Sequence, residues 1–175
     1  QLLTPVAKFI PALGQVKVQQ QGPLGLTTEV DPQRPITVGD LMTHTAGFTY
    51  DFLEDSPVAE LYRETALSNN ARRTLEQYVA ELARLPLAYQ PGSRFHYSVG
   101  IDVAAHLIEI LTERPLRQFL QERIFGPLGM VDTDFCVAGV SLPRLAGMYG
   151  VGDLMARHMT NSKMFTAWQQ GVSKR

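Results

Sequence analysis

The sequence predicts a mostly α fold with a few short strands, and three observations carry that expectation. Five helical segments follow one another across residues 37–125, each opened by a capping residue or a proline and each with apolar residues at helical spacing. Strand-like alternation is confined to residues 15–30, around a glycine-proline turn. With 45% hydrophobic and 19% charged residues, a chain of 175 residues has the make-up of one globular domain with a sizeable core.

Thr4-Pro5 opens a short helical turn through Ile10, since proline suits the first helical position, where its missing N–H costs nothing. Residues 15–20 and 24–30 pair as a hairpin around Gln21-Gly22-Pro23, with Val16 and Val18 alternating. Thr37-Val38-Gly39-Asp40 reads as a capping box with Asp in place of the usual Glu, opening a helix over Leu41 and Met42 that Gly47 ends. Ser56-Pro57 starts a second helix to about residue 67. Thr74 caps a third, where Leu75, Tyr78, Val79, Leu82 and Leu85 form one apolar stripe until Pro86 and Pro91 stop it. The fourth begins after Tyr97, with Ser98 as its cap and Ala104, Leu107, Ile108 and Leu111 on one face. Pro115 ends it and starts a fifth that runs to Phe125. Gly126-Pro127-Leu128-Gly129 is a turn, and a final helix is expected over residues 163–170. No repeat, low-complexity tract or compositional break divides the chain, so residues 1–175 are expected to belong to a single domain.

Several function classes lose their footing at once. A formal charge of −1 offers no electrostatic footprint for nucleic acid. The longest apolar run, residues 101–111, is broken by Asp102, His106 and Glu109 and falls short of the roughly 18–20 apolar residues of a membrane span. Residues 1–13 lack the charged start and small-residue cleavage site of a signal peptide, and the compartment stays open. Cys136, the single cysteine, is expected to be a buried packing residue. Nucleotide-loop motifs and H-E-x-x-H are absent, and His44, His96, His106 and His158 lack metal-ligand spacing, so neither cofactor nor metal is expected. The nucleophile elbow G-x-S-x-G is also missing, which argues against an α/β-hydrolase.

Two short segments, THTAGF at 43–48 and HYSVG at 96–100, remain. Taken by themselves they allow both a plain and a chemical role: His44 as the histidine of a helix end, Tyr97 as a packing tyrosine. A phenol does not cap helices, so Tyr97 serves either packing or chemistry.

Taken together, LMTHTAGF at 41–48, PGSRFHYSVGIDVAAHLIE at 91–109 and LQERIFGPLGMVDTDF at 120–135 resemble the middle of the serine β-lactamase-like superfamily. Within it they are most similar to the class C β-lactamase-related esterases, the family VIII carboxylesterases, and the likeness runs from about Thr4 to about Asp153. The resemblance implies the helical lobe and adjoining parts of a β-lactamase/transpeptidase-like α+β fold. It also implies a serine of an S-x-x-K motif that is acylated, and a catalytic tyrosine opening a Y-x-N motif that helps move the serine's proton. By resemblance Tyr97 is that tyrosine. A phenol with a reference pKa near 10 is a poor base at neutral pH and needs a neighbouring cation, which the family's lysine would be. A helix N-terminus just after it adds about 0.3–1 kcal/mol in the same sense.

Two departures shape the expectation. Val99 stands where the motif has asparagine, which tilts the substrate from lactam toward ester. S-x-x-K and the family's third motif occur nowhere in the sequence. The chain is therefore expected to be an internal piece of a serine hydrolase, lacking the S-x-x-K region and the C-terminal sheet region and inactive alone. Its parent would act through an acyl-enzyme on a small-molecule ester or amide, foremost a carboxylic ester. A β-lactamase or D-alanyl-D-alanine carboxypeptidase-like penicillin-binding protein is one alternative, and a non-catalytic binding or scaffold relative is another.

Overall fold

A computed structural model describes residues 1–22, 26–53, 56–65, 67 and 73–146. The chain divides into two compact units, Gln1–Leu111 and Thr112–Arg175.

The first unit begins with two 3₁₀ turns, Val6–Lys8 and Pro11–Gly14. Pro5 lies one residue before the first turn instead of inside it, and the Val6 N–H donates to the Ile36 carbonyl at 2.9 Å. Pro11 then restarts the chain as a second turn whose end, Gln15, delays the hairpin. Strands β1 (Val18–Gln21) and β2 (Thr27–Val30) pair antiparallel, with Val18 opposite Val30 and Gln21 opposite Thr27. Leu87 runs beside β1: Gln19 N–H donates to its carbonyl and Leu87 N–H to Lys17, both at 2.8 Å.

Helix α1 (Val38–Met42) starts from the expected capping box. Thr37 Oγ1 accepts from the Asp40 N–H at 3.3 Å, and an Asp40 carboxylate oxygen accepts from the Thr37 N–H at 2.8 Å. The shorter acid is sufficient because it also accepts from the Thr37 hydroxyl. The helix stops earlier than Gly47: Thr43 ends it, and His44 takes the left-handed turn at φ 54°. Helix α2 (Pro57–Glu64) is capped by Ser56, and α3 (Leu75–Leu82) by a Thr74–Gln77 box. In α3, Val79 and Leu82 are buried while Tyr78 packs at the edge of the core; the helix ends at Leu82, short of the expected stop at Pro86, and Leu85 packs against the core from beyond it.

Helix α4 (Gly100–Thr112) buries a different face from the one expected. Gly100, Val103, His106 and Leu107 point inward, and Leu111 is 59% exposed. The cause is at its start: a Cβ on Gly100 would lie 2.9 Å from the Leu41 carbonyl oxygen. Only glycine permits that approach, and it fixes the rotation of α4 against α1. Ser98 is not the cap either. The first N–H groups, of Asp102 and Val103, donate to the Val99 carbonyl, and Ser98 Oγ is buried without taking part.

One core joins these elements, with Val6, Leu41, Phe48, Tyr62, Leu82, Leu87, Val99 and Val103 all at most 1% exposed. Burying a large apolar side chain contributes about 1.5–3 kcal/mol against leaving it in water, so this cluster dominates the unit's stability.

The second unit opens on α5 (Leu116–Leu120), entered from Pro115 as expected. It reaches Phe125 through a π-helical turn, Gln121–Phe125, in which the Gly126 N–H donates to Gln121 at 2.9 Å. The predicted turn follows, with Gly129 at φ 65° and the Met130 N–H donating to Phe125. A 3₁₀ stretch, Gly139–Arg144, comes next. Cys136 is exposed, contrary to its expected burial, because none of the described residues of this unit is buried. The helix expected over residues 163–170 lies outside the described residues.

Candidate active site

The site is assembled where the chain after α1 meets the segment leading into α4. The Gly92 N–H donates to the Thr45 carbonyl at 2.7 Å and the His96 N–H to the His44 carbonyl at 2.8 Å. The Ser98 N–H donates to His44 Nδ1 at 3.2 Å. Residues 92–98 therefore run along the 44–47 turn. Ser98 and Val99 end in the core, while Tyr97, just before α4, is 52% exposed.

A buried carboxylate anchors the opposite side of this turn. Asp40, 6% exposed, accepts two bonds from the Arg34 guanidinium at 2.7 Å each, and one from Thr45 Oγ1 at 2.9 Å. Burial pushes its carboxyl up, but the bonds from Arg34, Thr37 and Thr45 outweigh it and hold the group well below the usual carboxylate range. The same guanidinium lies against Gly92, where a Cβ would meet Arg34 at 1.9 Å. One ion pair thus ties the start of α1, the His44 turn and the turn that opens the Tyr97 segment.

Tyr97 stands among aromatic rings. Its centroid is 4.7 Å from His44 and 5.4 Å from Tyr50, and Tyr50 stacks on Phe52 at 4.9 Å. Burial, the Asp102 charge and the neighbouring Tyr97 push the Tyr50 hydroxyl up to about 12. Tyr50 is therefore neutral at any ordinary pH and able to donate. Burial also raises the Asp102 carboxyl and the Tyr78 hydroxyl. Behind the site, Thr49 Oγ1 and His96 Nε2 are 2.9 Å apart.

The expected residue, Tyr97, is thus exposed on the same side as the His44 turn. The partner that sequence reasoning missed is Tyr50. Its signal is the tyrosine three residues past Gly47 in GFTY, which no periodicity distinguishes from a core aromatic. Val99 is fully buried, so the third position of the motif adds no polar group beside Tyr97. Each of the two phenols can donate and accept a hydrogen bond at this place. Among the described residues no cluster of three or more His, Cys, Asp or Glu could hold a metal, and no helix is long and apolar enough to cross a membrane.

Comparison with known proteins places this geometry. Protein Rv1367c of Mycobacterium tuberculosis (strain H37Rv) is 36% identical over 150 residues, covering 85% of this chain and 36% of its own length. Esterase EstB of Burkholderia gladioli is 30% identical over 152 residues, 78% of this chain and 38% of its own. Among solved structures, EstCE1, a hydrolase with promiscuous acyltransferase activity, aligns with a TM-score of 0.63 at 29% identity, covering 81% of this chain and 34% of that one. The chain spans little more than a third of the length of the relatives it matches. The family model for β-lactamase matches residues 1–172, a span that holds the first unit with the whole Tyr97 constellation and nearly all of the second, and the chain accordingly belongs to the β-lactamase family.

Proposed function

We propose that these residues form part of one β-lactamase-like domain of a serine hydrolase that acts through an acyl-enzyme on carboxylic esters, with Tyr97 as the proton carrier. The observation that supports this most is the half-exposed Tyr97 phenol, backed by His44 and flanked at 5.4 Å between ring centroids by a Tyr50 that stays neutral.

In this mechanism the serine and lysine of an S-x-x-K motif come from chain outside the present sequence. The serine attacks the ester carbonyl as its proton passes to Tyr97, held as the phenolate by that lysine, and the Tyr97 phenol returns the proton to the departing alkoxide. Water then attacks the acyl-serine, with the same oxygen taking and giving the proton in turn. Ester preference is supported by Val99, whose buried side chain cannot bind a lactam amide group, and by the esterase EstB and the hydrolase EstCE1 among the relatives. The 175 residues alone are expected to be inactive.

The test is Tyr97→Phe in the whole protein that carries this stretch. Turnover of p-nitrophenyl butyrate is expected to fall about 10²-fold or more, the usual scale of a proton-transfer group. Mass spectrometry of the quenched wild-type reaction should find the acyl group on the serine of an S-x-x-K motif. Wild-type turnover by the Phe variant removes Tyr97 from the mechanism, and adjoining sequence without S-x-x-K favours a non-catalytic relative.

A further inference from the structure

The backbone on both sides of Tyr97 is tied to a single residue. His96 N–H donates to the His44 carbonyl at 2.8 Å, and Ser98 N–H donates to His44 Nδ1 at 3.2 Å. Because Nδ1 accepts, the neutral imidazole carries its proton on Nε2. The same ring lies 4.7 Å from the Tyr97 ring, tilted by 47°, and edge-on to Phe95 at 5.9 Å. His44 does this from left-handed backbone, φ 54°, a conformation that strains a side chain and that glycine adopts freely. A residue needed only to end α1 would be glycine, as at most helix ends of this shape. Glycine would keep the carbonyl that accepts from His96 but supplies neither the Nδ1 acceptor nor the ring.

We infer that His44 is the positioning residue of Tyr97: it fixes the two peptide planes that aim the phenol, so its loss is felt in turnover and not in substrate binding. The inference rests on the role proposed above for Tyr97. The phenolic oxygen sits at the end of a rigid side chain, so a small rotation of either flanking peptide is magnified at the oxygen. A displacement of about 1 Å at a reacting group costs on the order of 10²-fold in rate.

Three variants of the whole protein, assayed with p-nitrophenyl butyrate, separate the parts of this device. His44→Phe keeps an aromatic ring and removes the Nδ1 acceptor. His44→Gly relieves the backbone and removes both. His44→Asn keeps an acceptor near Nδ1 and, among side chains, tolerates the left-handed backbone well. The Phe and Gly variants are expected to lose about tenfold or more in kcat with KM within about threefold, whereas Asn returns kcat to within about threefold of wild type. His44→Phe added to Tyr97→Phe should cause no further loss, since the group being aimed is gone.

Unchanged kcat in the Phe and Gly variants, an Asn variant as slow as Phe, or losses that multiply in the double variant would each overturn the inference. Should His44→Phe not fold, the Asn and Gly pair makes the same comparison. Wild-type turnover by Tyr97→Phe defeats the Tyr97 role and this inference together. A slow Tyr97→Phe beside a fast His44→Phe defeats only the inference.

Discussion

Gly47 and His44 stand three residues apart in one turn, and both have positive φ for different reasons. At Gly47, φ is 91° and a Cβ would lie 2.1 Å from the Tyr89 carbonyl oxygen, which is backbone and cannot move aside. Ala88 and Tyr89 both donate their N–H groups to the Gly47 carbonyl, so this contact holds the 88–89 segment against the turn below Tyr97. Gly47→Ala is expected to destabilise the protein by about 2–4 kcal/mol, combining left-handed strain with overpacking of a buried position. Denaturant unfolding of the two proteins checks it, and a difference under about 0.5 kcal/mol, the range of an ordinary surface change, would contradict it. A sequence reader can see Gly47 as a turn residue. That it faces the Tyr89 carbonyl, forty-two positions along the chain, is a fact of packing.

At the scale of elements, α1 owes its place to its cap more than to its length, since five residues make barely more than one helical turn. Asp40 closes the capping box, pairs with Arg34 and accepts from Thr45. Its carboxyl is held below the ordinary value of 3.8, so the folded chain binds a proton there less readily than the unfolded chain. The sign follows: this contribution is fully present above about pH 4 and is lost as pH falls below it toward the folded value. Asp40→Asn should cost about 1–3 kcal/mol at pH 7 through bonds weakened or lost by a nearly buried group, and should flatten the fall in stability between pH 5 and 2. Unfolding curves of both proteins across that range decide the matter, and parallel slopes would exclude Asp40 as the source. The caps of α1, α2 and α3 were legible because an N-cap is a local device, made of residues within three positions of each other. The inward face of α4 was not, because the contact between Gly100 and Leu41 turns the helix away from its own most apolar stripe.

Across the whole chain, apolar surface is unevenly covered. The first unit has a closed core, while the second shows Leu128 70%, Val131 91%, Phe135 64% and Val140 89% exposed among its described residues. Apolar side chains left in water favour association where they lie together. The 175-residue chain expressed by itself is therefore expected to bind the dye ANS strongly and to elute from a sizing column ahead of a 19.4 kDa monomer. A monomeric elution volume without dye binding would count against it. By itself the sequence determined the mostly helical class, the start of nearly every helix, the family likeness and Tyr97 as the residue to watch, since all of these rest on neighbours in the chain or on motifs of fixed spacing. Only the tertiary structure decided that Tyr50 joins Tyr97, that His44 bonds the peptides flanking it, and that Gly100 sets the rotation of α4. Those relations link residues tens of positions apart, and which of them meet depends on how the core closes, a condition that no local pattern encodes.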